Sequence, residues 1–105
     1  MALRDRHCVP CRQGDAALSE AAASRLAQEV PRWRIEDKQL RRRFEFADFT
    51  SAMAFLNRLA AVAEAEGHHP DFSVHYNRVD VAIWTHAIGG LSENDFILAA
   101  KLDAL

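Results

Sequence analysis

Three observations in this 105-residue chain predict an α+β fold, a four-stranded antiparallel sheet with three helices on one face in the order α-β-β-α-β-β-α. Apolar residues recur at helical spacing in three stretches. Four other stretches alternate apolar and polar residues, as half-buried strands do. The alternating stretches come in pairs joined by short polar turns, which makes them hairpins and the sheet antiparallel.

Residues 1–14 read as an irregular lead-in, because Cys8-Val9-Pro10-Cys11 and Gly14 resist regular structure. From Ala16 to Val30, Leu18, Ala22, Leu26 and Val30 recur every four residues, with Glu20, Arg25 and Glu29 largely elsewhere. Pro31 stops this helix, since the residue before a proline avoids the helical region. Trp33-Arg34-Ile35 reads as a short strand and Glu36-Asp37-Lys38 as a polar turn. In the next strand Leu40, Arg42, Phe44 and Phe46 face one way, and Arg41, Arg43 and Glu45 the other. The arginine on the apolar side is expected to snorkel.

Asp48-Phe49-Thr50-Ser51 supplies capping side chains for a second helix running to about Glu66. Met53, Leu56, Ala60 and Ala63 form one apolar stripe, and Phe55, Leu59 and Val62 a second beside it. So wide an arc is expected to cover the sheet and a further surface, for which a helix of another subunit is a candidate. Gly67 ends the helix in the usual glycine position. In the second hairpin Phe72, Val74 and Tyr76 alternate with Ser73, His75 and Asn77. Val79, Val81, Ile83 and Thr85 then alternate with Asp80, Ala82, Trp84 and His86. Asn77-Arg78 is the expected tight turn, since asparagine tolerates positive φ, and Tyr76 is expected in the core. Gly89-Gly90 breaks the strand. Ser92 then caps a last helix with Asp95 in the capping-box position, and Leu91, Leu98, Leu102 and Leu105 form its inner stripe.

The length predicts one domain over residues 1–105. A net charge of −2, with Arg41-Arg42-Arg43 as the one basic cluster, argues against direct nucleic-acid binding. That cluster reads as a solvated strand. No apolar run approaches the roughly 18 residues of a membrane span, and the N-terminus lacks the apolar core of a signal peptide. The expected compartment is the cytoplasm, where Cys8 and Cys11 stay reduced.

Chemistry concentrates between Glu66 and Asp95, where His68-His69-Pro70 is followed by Tyr76, His86 and Asp95. Imidazoles exchange protons near neutral pH, so three of them in one stretch point to acid–base work on a bound small molecule. Each residue also has a plainer reading. His68 and His69 suit the C-terminus of the second helix, His86 suits a structural hydrogen bond, and Asp95 suits a helix cap. Trp84, on a face expected to be polar, fits a stacked planar ligand or a subunit interface. Cys8-x-x-Cys11 beside His7 is half of a zinc site without a second pair, and the histidine spacing matches no helix-borne zinc motif, so no metal is expected. No nucleophile elbow, phosphate loop or dinucleotide fingerprint occurs.

The series His68-His69-Pro70, Tyr76, Thr85-His86, Gly90-Leu91-Ser92-Glu93 and Asp95 resembles the pterin-4a-carbinolamine dehydratase family, and the element order agrees from about Ala16 to Leu105. The resemblance implies dehydration of 4a-hydroxytetrahydrobiopterin to quinonoid dihydropterin and water, in recycling of the pterin after aromatic amino-acid hydroxylation. It implies no metal and no organic cofactor, a homodimer or homotetramer, and a functional link to an aromatic amino-acid hydroxylase. By the match, His68, His69, His86 and Asp95 are the catalytic set. Glu64, Pro70, Thr85, Ala87 and Ile88 join the histidines in binding substrate. The alternative it implies is a non-catalytic module that binds a hydroxylase or a transcription partner.

Overall fold

The computed structural model describes residues 2–105. Its helices are α1 (Glu20–Ala27), α2 (Phe49–Glu66) and α3 (Glu93–Asp103), and its strands β1 (Arg34–Glu36), β2 (Gln39–Glu45), β3 (Asp71–His75) and β4 (Arg78–Ile83). The strands form one antiparallel sheet in the order β1-β2-β4-β3. This is the α+β order α-β-β-α-β-β-α predicted from the sequence.

Helix α1 begins four residues later than the apolar period suggests. The Leu18 N–H is taken by the Leu91 carbonyl at 2.9 Å, which holds that segment outside the helix, and Ser19 then caps it through the Ala22 N–H. In the first hairpin Glu36 pairs with Gln39, and both turn residues, Asp37 and Lys38, have positive φ (52° and 61°), the signs of a type I′ turn.

The second hairpin departs from expectation. His75 pairs with Arg78, so the turn is Tyr76-Asn77 rather than Asn77-Arg78, and positive φ (55°) falls on Tyr76. Asn77 is held otherwise: its Nδ2 donates to the Phe46 carbonyl at 2.9 Å, and its own carbonyl accepts from the Phe46 N–H. Tyr76 is therefore carried out of the strand's alternation and is 67 % exposed, not in the core.

The core gathers Leu40 and Phe44 of β2 and Val79, Val81 and Ile83 of β4. Against them lie Ala52, Phe55, Leu56 and Leu59 of α2, and Phe96, Ile97, Leu98 and Leu102 of α3. Arg42, on the apolar side of β2, lies 4.0 Å above the Phe44 ring and pairs with Asp103 at the end of α3, as snorkelling predicts. Met53 and Ala60, expected in the buried stripe of α2, are exposed, because Ala52, Phe55 and Leu59 take the side facing the sheet. Leu105 lies beyond the end of α3 and is also exposed.

Helix α3 is buried nearly all round, because the lead-in covers the side turned away from the sheet. A 3-10 turn at Leu3–Asp5 packs on it and buries Leu3 in the core, so part of the lead-in has regular structure. Among the described residues no helix is long and apolar enough to cross a membrane.

Candidate functional site

Four chain ends meet at one edge of the sheet: the C-terminus of α2, the start of β3, the exit of β4 and the N-terminus of α3. The cleft they enclose has a volume of about 630 Å³. His68, His69 and Pro70 come from the α2–β3 connection, and Trp84, Thr85, His86 and Ala87 from the exit of β4. Cys8, Val9, Pro10 and Cys11 of the lead-in complete it beside Glu66 and Asn94.

Local rules bring the histidines there. Gly67, with φ 63°, ends α2 in the left-handed conformation that a glycine adopts without strain. The next residue is His68, whose N–H still bonds back to the Ala63 carbonyl at 3.2 Å. Thr85 bridges to Gly90, and this narrow loop holds a 3-10 turn over His86–Ile88. A 3-10 turn rotates about a third of a circle per residue, so His86 and Ile88 face different ways. Ile88 accordingly lines another groove, with Leu18 of the lead-in to α1 and Ile35 of β1, and not the histidine cleft.

Asp95 is the hub. It is fully buried, and each carboxylate oxygen is engaged. Oδ1 lies 2.6 Å from His68 Nε2, while Oδ2 accepts from Thr85 Oγ1 at 2.9 Å and from the Ser92 N–H at 2.8 Å. The Thr85 and Ser92 hydroxyls also touch, at 2.8 Å. The predicted capping box is present, and Asp95 performs it while holding His68. A buried carboxylate persists only with such partners.

The other two histidines sit further out. His69 Nε2 lies 2.6 Å from Glu64 Oε1, and both side chains are mostly exposed. Glu64 thus reaches the site only through His69. His86 is exposed and stacks on Trp84, with ring centroids 3.9 Å apart and planes 28° apart. The Trp84 indole donates to Asp71 Oδ2 at 3.2 Å. Trp84 and His86 therefore present aromatic surface at the cleft, the kind that receives a flat heterocycle.

The sequence alone assigns no site role to Glu66, Asn94 or the lead-in. Glu66 Oε1 accepts from the Cys8 N–H at 2.8 Å, and Oε2 lies 2.9 Å from His7 Nδ1 and 3.7 Å from Lys101 Nζ. Burial pushes the Glu66 carboxyl up, but the Cys8 N–H, His7 and Lys101 together outweigh it and hold the group below its usual range. Burial, reinforced by the Glu66 charge, pushes the Cys8 thiol up to about 12. The Cys8 Sγ meets the Asn94 carbonyl at 3.6 Å, and Asn94 Nδ2 meets the Cys11 Sγ at 3.5 Å. A signal was available in principle: Glu66 carries negative charge at a helix C-terminus, where it is disfavoured unless compensated. Among the described residues no group of three or more His, Cys, Asp or Glu side chains is arranged to hold a metal ion.

Comparison with known proteins follows the same outline. Residues 16–105 match the family model described as pterin 4 alpha carbinolamine dehydratase. A Halorhodospira halophila protein, provisionally named a pterin-4-alpha-carbinolamine dehydratase, is 48 % identical over 107 residues, covering 100 % of this chain and 98 % of its own. A Dechloromonas aromatica protein with the same provisional name is 47 % identical over 103 residues, covering 98 % of this chain and 92 % of its own. Among solved structures, a transcriptional coactivator/pterin dehydratase from Brucella melitensis superposes with a TM-score of 0.80 at 34 % identity, covering 84 % of this chain and 96 % of that one. A pterin dehydratase-like protein identified as a RuBisCO assembly factor in the α-carboxysome gives a TM-score of 0.58 at 30 % identity, over 70 % of this chain and 84 % of that one.

Proposed function

Because the chain belongs to the pterin 4 alpha carbinolamine dehydratase family, we propose that it dehydrates a 4a-hydroxytetrahydropterin, of the tetrahydrobiopterin type, to quinonoid dihydropterin and water. The observation that carries this reading is the lining of one cleft by His68, His69 and His86, with the buried Asp95 behind His68.

The elimination breaks the C4a–O bond and the N5–H bond. The leaving oxygen must gain a proton and N5 must lose one, so the site needs a proton donor and a proton acceptor a few ångströms apart. The imidazoles are suited to both tasks near neutral pH. Asp95 fixes the His68 ring through Nε2, leaving Nδ1 as its other proton-carrying atom, and offers a countercharge when the ring takes a proton. Glu64 meets His69 Nε2 at the same distance, but in solvent. Trp84 and His86 supply the stacking surface, and Pro70, Thr85 and Ala87 shape the walls. No metal or organic cofactor enters the scheme, and the setting is the cytoplasm.

The test is turnover of chemically generated 4a-hydroxytetrahydropterin. The wild type should exceed the uncatalysed rate, and His68→Ala should lower kcat/KM by about 10²-fold or more, a normal loss for a general acid or base. A wild-type rate equal to background would sink the proposal.

A second reading is a protein-binding module, and exposed apolar side chains favour it. Phe49 and Met53 on α2 and Phe72 on the edge strand β3 all stand open to solvent. The same residues suit self-association into a homodimer or homotetramer. Capture of a hydroxylase or transcription partner that persists in a His68, His69 and His86 triple-alanine variant would favour the module.

A further inference from the structure

We propose that the segment Cys8–Cys11 is the wall of the cleft that selects the substrate's ring substituent, accepting uncharged substituents and turning away phosphorylated ones, with Asn94 positioning it. The pterin reading above supplies the ligand's identity. The segment lies outside the residues matching the family, 16–105.

An irregular segment is a selective wall only if it is held in place, and this one is clamped twice. Asn94 is buried, and its amide grips the Val9 backbone from both sides: the Val9 N–H donates to Oδ1 at 2.9 Å, and Nδ2 donates to the Val9 carbonyl at 2.6 Å. Glu66 takes the Cys8 N–H one residue earlier. Both clamps use backbone groups, so the side chain of Val9 stays free; the residue is 70 % exposed, on the cleft. Asn94 adjoins Asp95 at the start of α3, so the wall and the residue holding His68 share one rigid element.

Charge decides what such a wall accepts. The carboxylates on the cleft are Glu66 and Asp71, and among the described residues no lysine or arginine lines it. The nearby Lys101 is engaged with Glu66 and donates to the Arg4 carbonyl. The Cys8 thiol is held protonated, as its raised value requires, and adds no charge. The N-terminus of α3 would ordinarily welcome a phosphate, but the chain's own Asp95 takes the Ser92 N–H there. The histidines of the cleft are already engaged, His68 by Asp95, His69 by Glu64 and His86 by Trp84, so a phosphorylated side chain would meet two carboxylates and no lysine or arginine. An uncharged diol or alkyl chain would meet Val9, Pro10 and a neutral thiol.

The probes are 7,8-dihydrobiopterin and 7,8-dihydroneopterin monophosphate, titrated against quenching of Trp84 fluorescence; the other tryptophan, Trp33, is buried in the core and serves as reference. The wild type should bind the uncharged pterin at least about tenfold more tightly. Val9→Arg, at an exposed position, should narrow that ratio by about fivefold or more, chiefly by tightening the phosphorylated ligand. Asn94→Ala should weaken the uncharged ligand several-fold and, in turnover, raise KM more than it lowers kcat. If Asn94→Ala fails to fold, Val9→Arg decides alone. Equal wild-type affinity for both ligands, binding of neither, or a ratio unmoved by Val9→Arg overturns the proposal. Discrimination without turnover would remove the dehydratase reading and leave the wall; turnover with an unmoved ratio would remove the wall and leave the dehydratase.

Discussion

His68 and His69 are neighbours in the chain, and each faces a carboxylate at 2.6 Å, yet the two pairs differ in kind. Beyond Gly67 the two side chains part. His68 turns inward, 13 % exposed, to an aspartate that water does not reach; His69 turns outward, 59 % exposed, to a glutamate that is more exposed still. Distance alone would rank the pairs as equals. Burial separates them, because an ion removed from water depends on its few partners, whereas an exposed one exchanges them for solvent. The difference teaches that adjacent histidines can take unlike places, one built into the frame of the cleft and the other at its mouth. Glu66 with His7 is an intermediate case, a buried carboxylate facing an exposed ring.

The contrast is broken most directly at Asp95. Asp95→Ala strips partners from His68, Thr85 and the Ser92 N–H at once and should cost about 3 kcal/mol or more of stability in urea unfolding. A cost below about 1 kcal/mol would mean that the buried pair is no more consequential than the exposed one.

The intermediate case comes next. Glu66→Gln keeps the shape but loses the charge-assisted bond to Cys8, and should cost about 1 kcal/mol. Acidification gives the same answer by another route. The Glu66 carboxyl is depressed in the folded chain, so its contribution is complete above the ordinary glutamate value of about 4.3 and is lost as pH falls through the depressed value. The Cys8 amide proton resonance should stay downfield at neutral pH and move upfield only below that point. A shift insensitive to both acid and Glu66→Gln would separate the lead-in from Glu66.

The smallest effect belongs to the exposed pair. Glu64→Gln should change stability by less than about 0.5 kcal/mol, with at most a several-fold loss in turnover. A loss above about 1 kcal/mol would show that the His69–Glu64 pair shares the constraint on His68.

Much of the fold was legible because its cues are local. The cap of α2 at Asp48, its stop at Gly67 and the box at Ser92 and Asp95 each follow from side chains within four residues of one another. The misplaced features all depend on distant partners. Leu91 shortens α1 through Leu18, and Phe46 holds Asn77 so that the positive φ falls on Tyr76. The site divides in the same way. His68, His69, Pro70, Thr85, His86 and Ala87 stand together on the cleft, whereas the 3-10 turn carries Ile88 away, and Glu64 arrives only behind His69. The roles of Glu66 and Asn94 were not legible because their partners in the lead-in are 58 and 85 residues away.

The sequence by itself determined the element order, the helix caps and the histidine series, since periodicity and capping act over one or two turns of chain. Tertiary structure alone decided that Asp95 is both cap and buried partner of His68, that His69 stands in solvent, and that an irregular lead-in closes the cleft. Those outcomes depend on desolvation and on backbone groups meeting across the fold. Neither is a property of any single segment.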